Sequence, residues 1–146
     1  MAKPAATESN RRRRKSHKSL DPFIDEALRI RERAYAPYSR FQVGAALVGE
    51  SGRVYLGCNV ENSAYGLALC AERAAVAAAV GQGETKFQGL VIATPSDPPS
   101  PPCGMCRQTL AEFAADLPIV LVNDRGARVD TTLAELFPRS FTREYL

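Results

Sequence analysis

Two short segments, Cys70-Ala71-Glu72 and Pro102-Cys103-Gly104-Met105-Cys106, constrain the fold of this chain more than any other feature. The first sets a thiol two residues from a carboxylate, and the second is a C-x-x-C pair. Three thiolates and a nearby acid suit a zinc ion that keeps one position open, with a proton carrier beside it. A structural zinc normally closes all four positions with protein ligands, whereas a catalytic zinc leaves room for water. If the three thiols share one ion, the chain must bring two distant helix starts together.

The competing reading keeps the metal and discards the chemistry. A fourth thiol, Cys58, could complete a closed Cys₄ site that only holds the fold together. Histidine ligation is disfavoured, because the single histidine, His17, lies in the basic leader. Four cysteines could also form two disulfides. However, the N-terminal segment lacks the apolar core of a secretory signal, so a cytoplasmic location is expected and metal binding outranks disulfide formation.

Charge is divided unevenly along the 146 residues. Residues 1–19 carry seven Lys/Arg against one acid, Glu8, so the rest of the chain is net −3 although the total is +3. This leader is polar and reads as a disordered extension ahead of a single folded domain, residues 20–146. Its run Arg11-Arg12-Arg13-Arg14-Lys15 could contact nucleic acid or serve in import, or could simply be solvated. The acidic body shows no aromatic and basic surface for stacking single strands, which argues against nucleic acid as the main partner. No stretch approaches the ~20 apolar residues of a membrane span. With 45% apolar and 24% charged residues, the chain has an ordinary globular composition.

Asp21-Pro22 opens the folded part as an N-cap and first helical residue, and Phe23, Ala27, Ile30 and Ala34 follow at helical spacing. A helix over 22–35 is predicted, ended by Pro37. Phe41 to Val48 reads as a strand, turned by Gly49-Glu50-Ser51-Gly52 into a partner, Val54 to Cys58. Both strands look apolar enough to be covered on each face. Residues 70–80, almost all alanine around Glu72 and Arg73, form a helix that can lie close to a sheet. Phe87 to Thr94 is a strand. Pro95 to Pro102 contains five prolines and cannot be regular. Gly104 to Ala115 is a helix, Ile119 to Asn123 a strand, Arg128 to Asp130 a short strand, and Thr132 starts a last helix. This order predicts an α/β fold, a three-layer αβα sandwich on a mixed five-stranded sheet with parallel crossovers after the first hairpin. Cys70 and Cys103 fall at predicted helix N-termini, where the dipole stabilises thiolates.

The two cysteine segments together resemble those of the zinc-dependent nucleoside and nucleobase deaminases, a class with a Cys₃ zinc and a glutamate that is not a ligand. Ala34 to Leu47 resembles the first helix-to-strand passage of the small cytidine deaminases, and Gly57 to Tyr65 resembles their ribose-recognition segment. The likeness spans about residues 22–141. It implies one zinc per subunit on Cys70, Cys103 and Cys106, with water in the fourth place, and Glu72 as the catalytic acid–base group. The implied reaction is hydrolytic deamination of cytidine and 2′-deoxycytidine, in pyrimidine salvage. The implied substrate contacts are Phe41 on the pyrimidine, Asn59 and Glu61 on the ribose 3′-hydroxyl, and backbone N–H groups near Ala71 and Glu72 on the ring oxygen. Arg73 would balance thiolate charge, and Gln108 would add a supporting hydrogen bond. The family's homotetramers share active sites, which implies that Tyr65 and Phe141 reach across to a neighbour. The same two cysteine motifs also serve deaminases of blasticidin-type antibiotics; the Asn59-x-Glu61 pair and Phe41 favour the ordinary nucleoside. Pro101 departs from the family's usual serine.

Overall fold

The structure, a computed structural model, describes residues 20–146; the basic leader and its expected disorder lie outside the described residues. The elements follow in the order α1 (Ile24–Arg31), β1 (Gly44–Gly49), β2 (Val54–Cys58), α2 (Ala71–Gly81), β3 (Phe87–Ala93), α3 (Gly104–Ala111), β4 (Pro118–Val122), β5 (Arg128–Thr132) and α4 (Leu133–Leu136). The five strands form one sheet in the spatial order β2-β1-β3-β4-β5.

β1 runs antiparallel to both β2 and β3, with Ala46 opposite Leu56 on one side and Val91 on the other. Hence β2 and β3 point the same way, and α2 between them is a crossover that steps over β1. β3 and β4 are parallel neighbours joined through α3, and β5 returns antiparallel to β4. The sheet is therefore mixed, as expected.

Side-chain alternation sorts the two cores. Successive strand residues point to opposite faces, so Ala45, Leu47, Leu90, Ile92, Ile119 and Leu121 pack under α2, α3 and α4. Ala46, Val48, Val91, Ala93, Val120 and Val122 pack on the other face against Leu20 and Ala27 of the α1 side. Three layers result, with α1 alone on one face. All of β1 is buried, but β2 is an edge strand and Leu56 is exposed, so only one strand of the hairpin is covered on both faces.

Alanine and glycine set how near the helices come. A Cβ on Gly57 would lie 2.3 Å from the Ala71 carbonyl oxygen and 2.5 Å from the Ala75 nitrogen. The start of α2 therefore rests directly on β2, and this contact fixes the height of Cys70 and Glu72 above the sheet.

Several boundaries differ from those read in the sequence. A 3₁₀ turn, Asp21–Phe23, precedes α1, and Asp21 caps nothing; it accepts a 2.7 Å hydrogen bond from Arg128. α1 stops at Arg31 and winds down through tight i→i+3 bonds to Ala34. Tyr35 then leaves the helix because its backbone pairs with Asn59 and Glu61. β1 begins only at Gly44, since the Asn59 side chain takes the places of ladder partners for Phe41 and Val43. α3 ends at Ala111, short of Ala115, and β5 extends to Thr132. Thr132 also caps α4 in a capping box with Glu135. No helix among the described residues is long and apolar enough to cross a membrane.

Candidate metal and active site

Cys70 is the N-cap of α2 and Cys103 the N-cap of α3, both in extended backbone conformation. Cys106 lies in the first turn of α3 and is fully buried. The Cys70 and Cys103 sulfurs are 3.7 Å apart, and those of Cys103 and Cys106 are 3.5 Å apart. The three sulfurs all lie within 4.8 Å of one another. A disulfide needs an S–S distance of about 2.05 Å, and all four cysteines are free. A tetrahedral zinc with sulfurs at about 2.3 Å holds them about 3.8 Å apart, which the observed spacing matches. The donor set and its geometry thus fit one zinc per chain. Cys58, at the end of β2, is not in the cluster.

Charge and hydrogen bonding in the cluster favour a thiolate at Cys70. The Cys106 thiol donates to Cys70 and Arg73 lies beside it; against the cost of burial these hold Cys70 down at about 5. Cys106, which gives up that hydrogen bond and is buried next to Glu72, is pushed upward. The Arg73 guanidinium is 3.8 Å from the Cys70 sulfur and donates to the Ala68 carbonyl at 3.0 Å. Three thiolates on a divalent ion would leave a net negative charge, and Arg73 is the cation beside Cys70. Thiolate contact in turn raises the Arg73 pKa.

Glu72 is 5% exposed, in the first turn of α2. Burial pushes its carboxyl above the ordinary range; the negative charge on Cys70 adds to this, while a backbone N–H and Arg73 oppose it. It lines a cavity of about 230 Å³. Cys70, Ala71, Cys103, Phe41 and Asn59 share that wall with it, so six of the residues singled out in the sequence meet at one place.

Other expected residues stand farther off. Glu61 and Tyr65 line a neighbouring, larger pocket of about 400 Å³ with Tyr38 and Ser39. The Glu61 carboxylate accepts from the Tyr38 backbone at 2.8 Å and from the Ser39 hydroxyl and backbone, and the Ser39 hydroxyl, the largest influence, holds its pKa low. Asn59 donates to the Phe41 carbonyl and accepts from the Val43 N–H, both at 2.8 Å. Tyr65 is 80% exposed and meets Tyr38 edge-on. Phe141 is exposed, stacks on Tyr145 and takes a 2.8 Å hydrogen bond on its carbonyl from Gln108, outside the cavity.

Sequence reasoning missed part of the wall: Val43, Ile92, Thr94 and Ser100. Pro101, noted only as a departure, is also there. Thr94 offered one clue, a polar residue closing an apolar strand just before the proline run.

The family model for the cytidine and deoxycytidylate deaminase zinc-binding region matches residues 17–122. The chain is 45% identical to a cytidine deaminase of Sporosarcina psychrophila over 128 residues, 87% of this chain and 94% of that one. It is 46% identical to a cytidine deaminase of Halalkalibacterium halodurans over 123 residues, 84% of this chain and 93% of the relative. Among solved structures, cytidine deaminase from Burkholderia pseudomallei superposes with a TM-score of 0.79 at 43% identity, covering 82% of this chain and 97% of that one. With this extent of likeness in sequence and in fold, the chain belongs to the cytidine and deoxycytidylate deaminase family.

Proposed function

We propose that this chain hydrolyses cytidine and 2′-deoxycytidine to the corresponding uridines and ammonia, in pyrimidine salvage. One observation carries the reading: a buried carboxylate, Glu72, lines a single cavity with Cys70 and Cys103, two of the three thiols that converge with Cys106. The curated relatives named cytidine deaminase support the substrate.

Zinc held by Cys70, Cys103 and Cys106 supplies, when bound, the Lewis acidity that makes water nucleophilic near neutral pH. Glu72 takes the proton from the attacking water and delivers it to ring N3. As the C4–N bond breaks, Glu72 relays a second proton to the departing amine, so water is consumed and ammonia leaves. A carboxyl raised by burial suits a group that must both accept and return a proton.

Phe41 packs on the pyrimidine, and the backbone N–H groups at the start of α2, near Ala71, face its ring oxygen. Asn59 uses one of its two amide protons and one lone pair inside the protein, which leaves one of each for a sugar hydroxyl. Glu61, preorganised by Ser39 and Tyr38, accepts from the same 3′-hydroxyl. Arg73 balances the thiolate charge, and Gln108 steadies the segment that carries Phe141. Exposure of Tyr65 and Phe141 supports a homotetramer in which each closes a neighbour's site. The location is cytoplasmic. The basic leader contacts nucleic acid at most as a side activity.

Ammonia release from cytidine, deoxycytidine, cytosine and a cytosine homopolymer, with zinc measured on the same sample, tests the proposal. Turnover of the two nucleosides alone, with one zinc per chain, is expected. Zinc without turnover of either nucleoside would refute it.

A further inference from the structure

Between β3 and α3 the chain runs Pro95-Ser96-Asp97-Pro98-Pro99-Ser100-Pro101-Pro102, then Cys103. Five of the eight loop residues are proline and lack a backbone donor, so the loop has few N–H groups with which to fasten itself. Side chains do that work. The Thr94 hydroxyl accepts from the Ser100 N–H at 3.0 Å and is 3.1 Å from the Ser96 hydroxyl, which is 2.7 Å from the Ser100 hydroxyl. These three hydroxyls close the loop on itself. Asn123 then ties the Ser96 carbonyl to the β4–β5 turn at 3.1 Å.

Thr94 is the pivot, because it alone belongs to the sheet side of this group. It follows β3 directly, is 2% exposed, and its N–H is held by the Val122 carbonyl at 3.0 Å. Thr94, Ser100, Pro101 and Cys103 all line the cavity with Glu72. Only two residues, both prolines with fixed φ, separate Ser100 from Cys103. A displacement of Ser100 therefore reaches Pro102, whose carbonyl accepts from Arg107 at 2.9 Å, and through it the adjoining Cys103.

We propose that Thr94 is a positioning residue for the Cys103 side of the zinc site. Through Ser96 and Ser100 its hydroxyl sets where the proline run delivers Cys103 and Pro101. This rests on Cys103 being a zinc ligand.

The test is zinc transfer from the loaded full-length protein to a competing chromophoric chelator, with thermal unfolding as the control for folding. Thr94→Val keeps the shape and removes the hydroxyl; it should weaken zinc binding by about tenfold or more, the scale of losing a group that orients a ligand. Thr94→Ser keeps the hydroxyl and should hold zinc as the parent does. Thr94→Val with parental zinc affinity, or Thr94→Ser as weak as Thr94→Val, overturns the proposal. If Thr94→Val does not fold, Thr94→Ala removes the same hydroxyl without the branched side chain, so the Ser100 N–H also loses its acceptor; weaker zinc binding supports the role and parental binding overturns it. A parent protein that takes up no zinc would defeat the metal assignment itself, and this role with it.

Discussion

The sulfurs of Cys70 and Cys103 lie 3.7 Å apart, although 33 positions separate the two residues in the chain. Each is the N-cap of its helix, so two helix starts meet at one point above the sheet. The dipoles of both helices favour negative charge there, as Arg73 does from the side. The fold thus gathers the three thiols, and favours a thiolate at Cys70, before any metal is considered.

That gathering depends on how closely α2 approaches β2. Gly57→Ala places a methyl against the Ala71 carbonyl and the Ala75 nitrogen, which are backbone atoms that cannot swing away. Overpacking of this kind costs about 1–3 kcal/mol. Urea unfolding should show that loss, and zinc-loaded Gly57→Ala should turn over more slowly than its stability alone explains, because Cys70 and Glu72 ride on the displaced helix.

Cys58 offers a separate check on the metal. The clustered sulfurs are those of Cys70, Cys103 and Cys106. Cys58→Ser should keep one zinc per chain and nearly parental activity, whereas Cys106→Ser should lose the metal. Metal analysis of the purified variants decides this, and loss of zinc from Cys58→Ser would revive the closed four-thiol site.

Much of this was legible in the chain. The Val54–Cys58 strand and the alanine helix after Cys70 follow from turn chemistry and composition, and the layers follow from element order. What was not legible depends on contacts between distant segments. Helical spacing runs on to Ala34, but Tyr35 is claimed by pairing with Asn59 and Glu61. The pattern from Phe41 reads as strand, but an Asn59 side chain replaces the ladder there. Prolines in 95–102 announce an irregular loop without revealing that hydroxyls close it beside the cavity. The clustering of the thiols, and the place of Glu72 on the same cavity wall as Cys70 and Cys103, could be expected because zinc chemistry restricts residue type and spacing. Apolar wall residues such as Val43 and Ile92 were not, because nothing distinguishes them from core.

Acid should weaken the fold partly through Asp124. Its carboxylate is 2.7 Å from Arg31, and the hydrogen bond and charge of that arginine hold its pKa below the ordinary value. A depressed folded-state pKa means that the stabilisation is fully present above the unfolded pKa and fades as pH falls through the folded one. Asp124→Asn should therefore lower stability at neutral pH and flatten the decline on the acid side. Urea midpoints of both proteins across the carboxylate range measure this; an unchanged neutral midpoint would remove Asp124 from the account.

Glu72 offers the most direct test of the chemistry. Glu72→Gln preserves shape and removes the proton carrier, and Glu72 lines the cavity with Cys70 and Cys103 without belonging to the cluster of three thiols. Ammonia release from cytidine, measured on protein carrying one zinc per chain, should fall by about 10²–10⁴-fold, the usual contribution of a general acid–base group. Zinc content and melting temperature should stay near parental. Parental turnover by the zinc-loaded variant would contradict the role assigned to Glu72 and the reaction built on it.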